Sequence, residues 1–544
     1  MKTSVQRKIT VKGLAAALLL ATGIAPAISP AQAQQPGTLR IAMTAADVPT
    51  TNGAPNNGYE GLRWLGYPIF ESLTLWDLSR ADTLASVRPG LAESWEQDQA
   101  DPTKWRFRLR SGVTFHDGAP WNADAAIWGL DRFYRNDAPN YDPQGSAFTR
   151  PRTAGFGSYR KLDDMTIEIT TERPLSYFPY ILPYILFSSP QAFEAAGRDW
   201  SRVGNAPAGT GPFRITRFVP RQSVELTRND NYWDVPRRAK LNRVILLPVP
   251  DANTRVAALR SGQVDWIEAP PPDALQPLRS AGFNVVTNSY PHVWPWLFAA
   301  GRPDSPTADV RVRQALNYCV DRDGLVTMLN GTAEPAVGFF NASNPLFGTP
   351  QNRYRFDPAR GRALLAEAGY NAQRPLRLKV SISNSGSGQM QPLPMNEALQ
   401  QNLRESCGVQ VSFEVVEWTV LLGTLRAEPT APGWLGADAA NISLVSSDAF
   451  QMARWFLSAN SSPRGSNAGH WRDEAFDTAM TEVERARSPE EAAPALRRAH
   501  ERLVDGAPWL YIVHDTNPRA MSRRVHNFVS AQSWFQDLTN VEVR

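Results

Sequence analysis

The chain has few of the residues that build covalent or metal-bound frameworks. Its 544 residues include two cysteines, Cys319 and Cys407, and six histidines. No C-x-x-C pair and no H-E-x-x-H run occurs, so neither a structural zinc site nor a zinc hydrolase has a basis in the sequence. A G-x-S-x-G elbow and a Walker A loop are also missing, which removes the usual marks of a serine hydrolase or a nucleotide-binding loop. Acidic residues are plentiful but in no pattern that singles out a catalytic pair. Internal repeats and low-complexity tracts are absent. Net charge is lacking too. Four of the 57 lysines and arginines (Lys2, Arg7, Lys8 and Lys12) fall in the first twelve residues, which hold no acid, and the remaining 53 equal the 53 aspartates and glutamates. A neutral body argues against nucleic acid or an anionic membrane surface as partner.

What is present is a globular composition, 42% hydrophobic and 20% charged, with 17 tryptophans. The length suggests two to four domains at about 100–200 residues each. Met1–Lys12 is basic, Gly13–Ile28 is apolar, and Ala31-Gln32-Ala33 is a small-x-small cleavage site. This pattern predicts a secretory signal peptide over 1–33 and a mature chain from Gln34. Pro26 and Pro30 interrupt the apolar run, which speaks against a membrane span. No cysteine follows it to carry a lipid. An exported protein in a Gram-negative periplasm is expected. An oxidising compartment permits a bond between Cys319 and Cys407. Cys319 also lies on an apolar helix face with Val312, Leu316 and Val320, where a small core residue fits as well. Both readings stay open.

The most informative stretch is Trp105–Asp131. Trp105, Phe107 and Leu109 alternate with Arg106, Arg108 and Arg110, the period of a strand with one buried face. Ser111-Gly112 and His116-Asp117-Gly118 read as turns. Asn122 is placed to cap a helix over Ala123–Phe133. Tyr159–Thr170 predicts a hairpin turning at Asp163-Asp164. The apolar run Pro174–Ser189 contains prolines and is too short to span a membrane, so it is expected to be buried.

This stretch resembles the signature of the bacterial extracellular solute-binding proteins of family 5, the peptide and nickel class that serves ABC importers. Phe107, Leu109, Arg110, Gly112, Val113, Phe115, His116, Asp117, Gly118, Pro120, Ala123 and Asp124 stand at the family's spacing. Further runs resemble the family elsewhere: Ile69-Phe70-Glu71-x-Leu73, Gly209-Thr210-Gly211-Pro212-Phe213, Asn229–Trp233, Ala258–Asp265, Asp309–Leu325, Tyr354–Tyr370 and Ala507–Ile512. Gly361 departs from the family's usual Lys or Glu. The resemblance covers nearly the whole mature chain. In the family the signature identifies the fold without touching solute, so His116 is read as structural.

The resemblance implies an α/β, periplasmic-binding-protein-like two-lobe fold (type II, cluster C) with an extra inserted subdomain. The expected division is lobe I at 34–58, 205–287 and 511–544, the insertion at 59–204, and lobe II at 288–510. Ligand-touching positions would be Gly58, Tyr59 and Glu60 at the end of a loop, and Trp418 and Trp434 lining the cavity. Asp438 would hold a peptide ammonium, since a buried ammonium needs a carboxylate to offset its desolvation. Asp438 is one residue later than the family's carboxylate, and the D-P that follows in the family is replaced by Ala439-Ala440-Asn441. Trp294 and Trp296 share a strand face where the second lobe enters the cleft. His292 is the nearest residue to a nickel-chelate contact.

The function implied is a non-enzymatic periplasmic component of an ABC importer. It would close two lobes, hinged near 288–290 and 510–513, on a peptide or peptide-like organic solute and deliver it to permease transmembrane subunits. It is expected to be a monomer without cofactor, resident metal or catalytic residue. An opine, a sugar conjugate or a nickel chelate is the alternative ligand. A secreted hydrolase or chaperone on the same scaffold is the alternative of another class.

Overall fold

A computed structural model describes residues 37–544, except Asn57, Ser447 and the side chains of Gly58 and Tyr59. The expected signal peptide and the Gly58 and Tyr59 contacts therefore lie outside the described residues.

Two seven-stranded sheets and one four-stranded sheet carry the architecture. The first runs Asn284–Val286, Arg519–Met521, Trp266–Glu268, Thr38–Met43, Arg243–Pro248, Ser223–Arg228 and Phe213–Val219. Its centre is parallel: Thr38–Met43 pairs in parallel with strands on both sides. Such strands are covered on both faces and read as near-continuous apolar runs. Here Leu39, Ile41 and Met43 enter the main core of this lobe, while Ala42 enters a smaller core with Val256 and Leu259.

The second sheet runs Ala333–Pro335, Trp509–Asp515, His292–Phe298, Ala439–Asn441, Arg377–Ser383 and Gln410–Val416, with Leu444–Val445 added beside His292–Phe298. The chain passes from the first sheet to the second between Val286 and His292, and returns between Asp515 and Arg519. This return differs from the expected one. All of Trp509–Asp515 lies in the second sheet, so the crossing is at 516–518 rather than 510–513. The segment around Leu62–Gly66 also packs into the core of the first lobe and not into the inserted sheet.

The third sheet runs Ala92–Gln97, Lys104–Leu109, Thr166–Thr171 and Phe156–Asp163. Trp105, Phe107 and Leu109 are buried as their alternation requires, and the outward Arg106 and Arg108 meet Glu168 and Glu93. Asn122 caps the helix Ala123–Tyr134 by accepting from the Ala125 N–H at 3.0 Å. Pro174–Ser189 is buried in short helical turns. No helix among the described residues is long and apolar enough to cross a membrane.

The motifs hold the frame together. The Glu71 carboxylate is buried and accepts from Thr210 Oγ1 (2.9 Å), Tyr232 Oη (2.7 Å) and Trp233 Nε1 (2.7 Å), joining three of the recurrent runs at one point. His116 joins two turns: Gly209 N–H donates to its Nδ1 at 3.3 Å, and its Nε2 lies 3.0 Å from the Gly211 carbonyl. A Cβ on Gly211 would stand 2.7 Å from the Pro68 carbonyl, so only glycine lets these two turns approach. Arg313 and Arg322 are buried and donate to backbone carbonyls, Arg322 to Ala336 (2.7 Å) and Tyr511 (2.9 Å). Burial pulls both guanidinium values down to about 10. Cys319 and Cys407 are joined in a disulfide.

Candidate ligand-binding site

Two cavities lie where the lobes face each other. The larger, about 880 Å³, is bounded by the inserted subdomain on one side and by lobe II on the other. The smaller, about 430 Å³, lies between the first lobe and the 384–392 loop beside the return crossing. Trp534 lines both. A cavity of several hundred cubic ångströms accommodates a small organic molecule. The lobes touch around these spaces. Glu60 N–H donates to Ser387 Oγ at 3.2 Å. Arg173 makes a two-pronged ion pair with Glu484, 2.9 Å on each arm. Tyr177 stacks on Phe450 with ring centroids 5.1 Å apart.

Strand direction decides what reaches the larger cavity. His292–Phe298 leaves the crossing at His292. The returning chain pairs Ala439 with Phe298 at the far end, and Val445 with His292 at the near end. The segment that lines the cavity is therefore Ile442–Val445. Trp418 lines this cavity, and its indole N–H is buried without a partner among the described residues.

The other expected contacts sit elsewhere. Asp438 is at the far end of its strand and lines neither cavity. Its carboxylate accepts from Arg302 Nη2 (2.6 Å), Ser305 Oγ (2.8 Å) and the Lys379 N–H (2.9 Å), so it is not available to an ammonium group. Trp434 is fully buried and donates to the Ala427 carbonyl at 3.0 Å. Trp294 and Trp296 do share a face, but it is the one packed inside lobe II. Both are fully buried, donating to the Gln389 carbonyl (3.1 Å) and Asn396 Oδ1 (2.8 Å). The Glu60 carboxylate is buried and accepts from Thr44 N (2.7 Å) and Oγ1 (2.5 Å). His292 is fully buried between Tyr290 and Trp534, and burial pushes it down to about 3. Among the described residues no group of three or more metal-binding side chains comes together.

The sequence reading missed several residues of the larger cavity: Arg150, Arg426, Arg454, Trp455, Arg464 and Trp534. A signal for four of them was present. The runs 143–162 and 449–472 contain no acid, in a chain whose body otherwise balances its charges.

A model of family 5 of the bacterial extracellular solute-binding proteins (its middle region) matches residues 86–472. The chain belongs to this family. Its members are the non-enzymatic solute-binding components of ABC importers. The chain is 24% identical over 546 residues to a di/tripeptide-binding protein 2 of Pseudomonas aeruginosa, covering 97% of this chain and 98% of that one. It is 27% identical over 450 residues to the glutathione-binding protein GsiB of Salmonella typhimurium, covering 81% and 83%. Its fold is similar to that of the periplasmic binding protein DppA of Helicobacter pylori, solved in complex with the peptide STSA. The TM-score is 0.79 at 19% identity, over 93% of this chain and 98% of that one. For this family 5 chain, the shared frame explains why the recurrent runs converge on Glu71 and His116 rather than on the cavity.

Proposed function

We propose that this family 5 protein works in the periplasm, after removal of residues 1–33. It captures a peptide or peptide-like organic solute between its lobes and presents the closed form to membrane permease subunits. The observation that carries this is the interlobe cavity of about 880 Å³, walled by both lobes and by aromatic faces including Trp418 and Trp455. Relatives named for di- and tripeptides and for glutathione support a ligand of this size and type. Closure would hinge at 287–291 and 516–518, the two crossings between sheets. Solute stabilises the closed form only to the extent that it binds that form more tightly than the open one.

The occupied Asp438 carboxylate favours a second reading within the same class. In it the ligand is not held by its ammonium group and is a peptide derivative or another organic compound. The test is to denature the purified protein and identify by mass spectrometry the small molecule it releases. A mixture of short peptides supports the first reading, and a single non-peptide compound supports the second. Conversion of bound solute to a product would overturn both.

A further inference from the structure

The walls of the larger cavity differ from the rest of the chain in charge, and this bears on the ligand class within the solute-binding reading above. The acid-free runs 143–162 and 449–472 contribute to opposite walls. Arg150 and Arg152 come from the subdomain side, Arg454 and Arg464 from lobe II. Arg173 and Arg426 add to the lining, and Glu172 is the one acid among the described lining residues. Some of this charge is already engaged. Arg173 is paired with Glu484, Arg152 donates to the Phe148 carbonyl and stacks on that ring, and Arg454 donates to Ser466 Oγ at 3.3 Å and lies over Trp455. Arg150, Arg426 and Arg464 have no carboxylate within ion-pair distance among the described residues. Arg426 is exposed to the cavity, yet loss of water still pulls its guanidinium below the ordinary value, with no acid opposing.

Cations gathered in a partly dry space are costly unless a counter-charge arrives. Among the described lining residues the one carboxylate is Glu172, which is exposed and not buried at depth where an ammonium group would need it. We propose that the solute is an organic anion with at least two negative groups, carboxylates or phosphates, held between the arginine-bearing walls while its apolar part rests on the aromatic faces. Arginine suits both groups, because its planar fork matches carboxylate and phosphate geometry.

The test uses the purified mature protein, unfolded and refolded to remove carried ligand. Calorimetric titration would compare triglutamate, trialanine, trilysine, citrate and fructose 1,6-bisphosphate at 50 and 500 mM salt. The expected result is binding of at least one polyanion, at least tenfold tighter than trialanine, weakened by salt, and none of trilysine. Preference for triglutamate and citrate identifies carboxylates, and preference for the bisphosphate identifies phosphate. Arg150→Gln, Arg426→Gln and Arg464→Gln are exposed changes that should each weaken that binding at least fivefold at an unchanged melting temperature. Trialanine or trilysine bound as tightly as the polyanions would overturn the charge assignment and leave solute capture standing. Binding of no probe, with no small molecule released from the protein as isolated, would overturn both.

Discussion

At the scale of single residues, Asp438 shows how one carboxylate can be spent on structure. It neutralises Arg302, whose side chain is about nine-tenths buried. Without Asp438 the only carboxylate near Arg302 among the described residues is the exposed Asp304, 3.2 Å from its Nε, and breaking a buried pair costs at most about 3–5 kcal/mol. Asp438→Ala is therefore expected to lower the midpoint of urea unfolding by a corresponding amount, while the folded protein keeps its affinity for solute. A loss of affinity at unchanged stability would return Asp438 to the site. The histidines make a second prediction. His116, His292 and His500 are held neutral by burial, at about 4, 3 and 4, against an ordinary value of 6.5. His500 cannot accept a second proton without conflict, because its Nε2 already accepts from the Phe340 N–H while Nδ1 lies 2.7 Å from the Phe347 carbonyl. A base whose folded value is depressed contributes stability that is complete above about pH 6.5 and is lost as pH falls towards the folded value. Each such group costs about 1.4 kcal/mol per pH unit in that window. Asp448 and Asp515, raised by burial to about 6 and 7, act in the opposite sense and favour the folded state at lower pH. His470 and His514 are lowered by burial as well, and Glu71 is raised by it. With five depressed histidines against three raised carboxylates, the melting temperature should fall between pH 6.5 and 4. His500→Gln should make that decline shallower.

At the scale of elements, the signature stretch works as a strand, a turn and a capped helix fastened to the Gly209–Phe213 turn through His116. Asn122→Ala removes the acceptor for Ala125 N–H and should cost about 1 kcal/mol, measurable by thermal unfolding with no change in affinity. This part of the molecule was readable in advance because alternation and capping are local. Trp105, Phe107 and Leu109 must share a face, and Asn122 must precede a helix. The recurrent runs also disclosed the frame, since the contacts of Glu71 and His116 require particular residue types. The cavity was less legible. Trp294 and Trp296 share a face by period alone, but period does not say whether that face meets solvent or the helix Pro392–Cys407. The resemblance placed a carboxylate near 438. Which end of Ala439–Asn441 lies at the crossing depends on pairing with a strand more than a hundred residues away. The acid-free runs were visible, yet their meeting across a cavity is a tertiary fact.

At the scale of the whole molecule, contacts between the subdomain and lobe II hold the lobes together beside the cavity, among them Ser176 Oγ donating to the Val483 carbonyl at 2.8 Å. Tyr177 and Tyr180 of the subdomain side pack on Phe450 at 5.1 and 5.4 Å. Aromatic pairs of this kind contribute about 0.5–1.5 kcal/mol beyond burial. Phe450→Ala should therefore shift the solute-free protein towards the open form and weaken apparent affinity by about two- to tenfold. Small-angle X-ray scattering without solute should show a larger radius of gyration than the parent, and the two curves should converge at saturation. The disulfide in lobe II has a consequence of a different sort. Gly361 occupies the space beside it, where a Cβ would crowd Cys319 Sγ and come within 3.1 Å of Cys407 Sγ. Gly361 and the two cysteines thus pack as one unit. Across descendants of this chain they should be gained and lost together, and a lineage that regains a long side chain at 361 must first have given up the bridge.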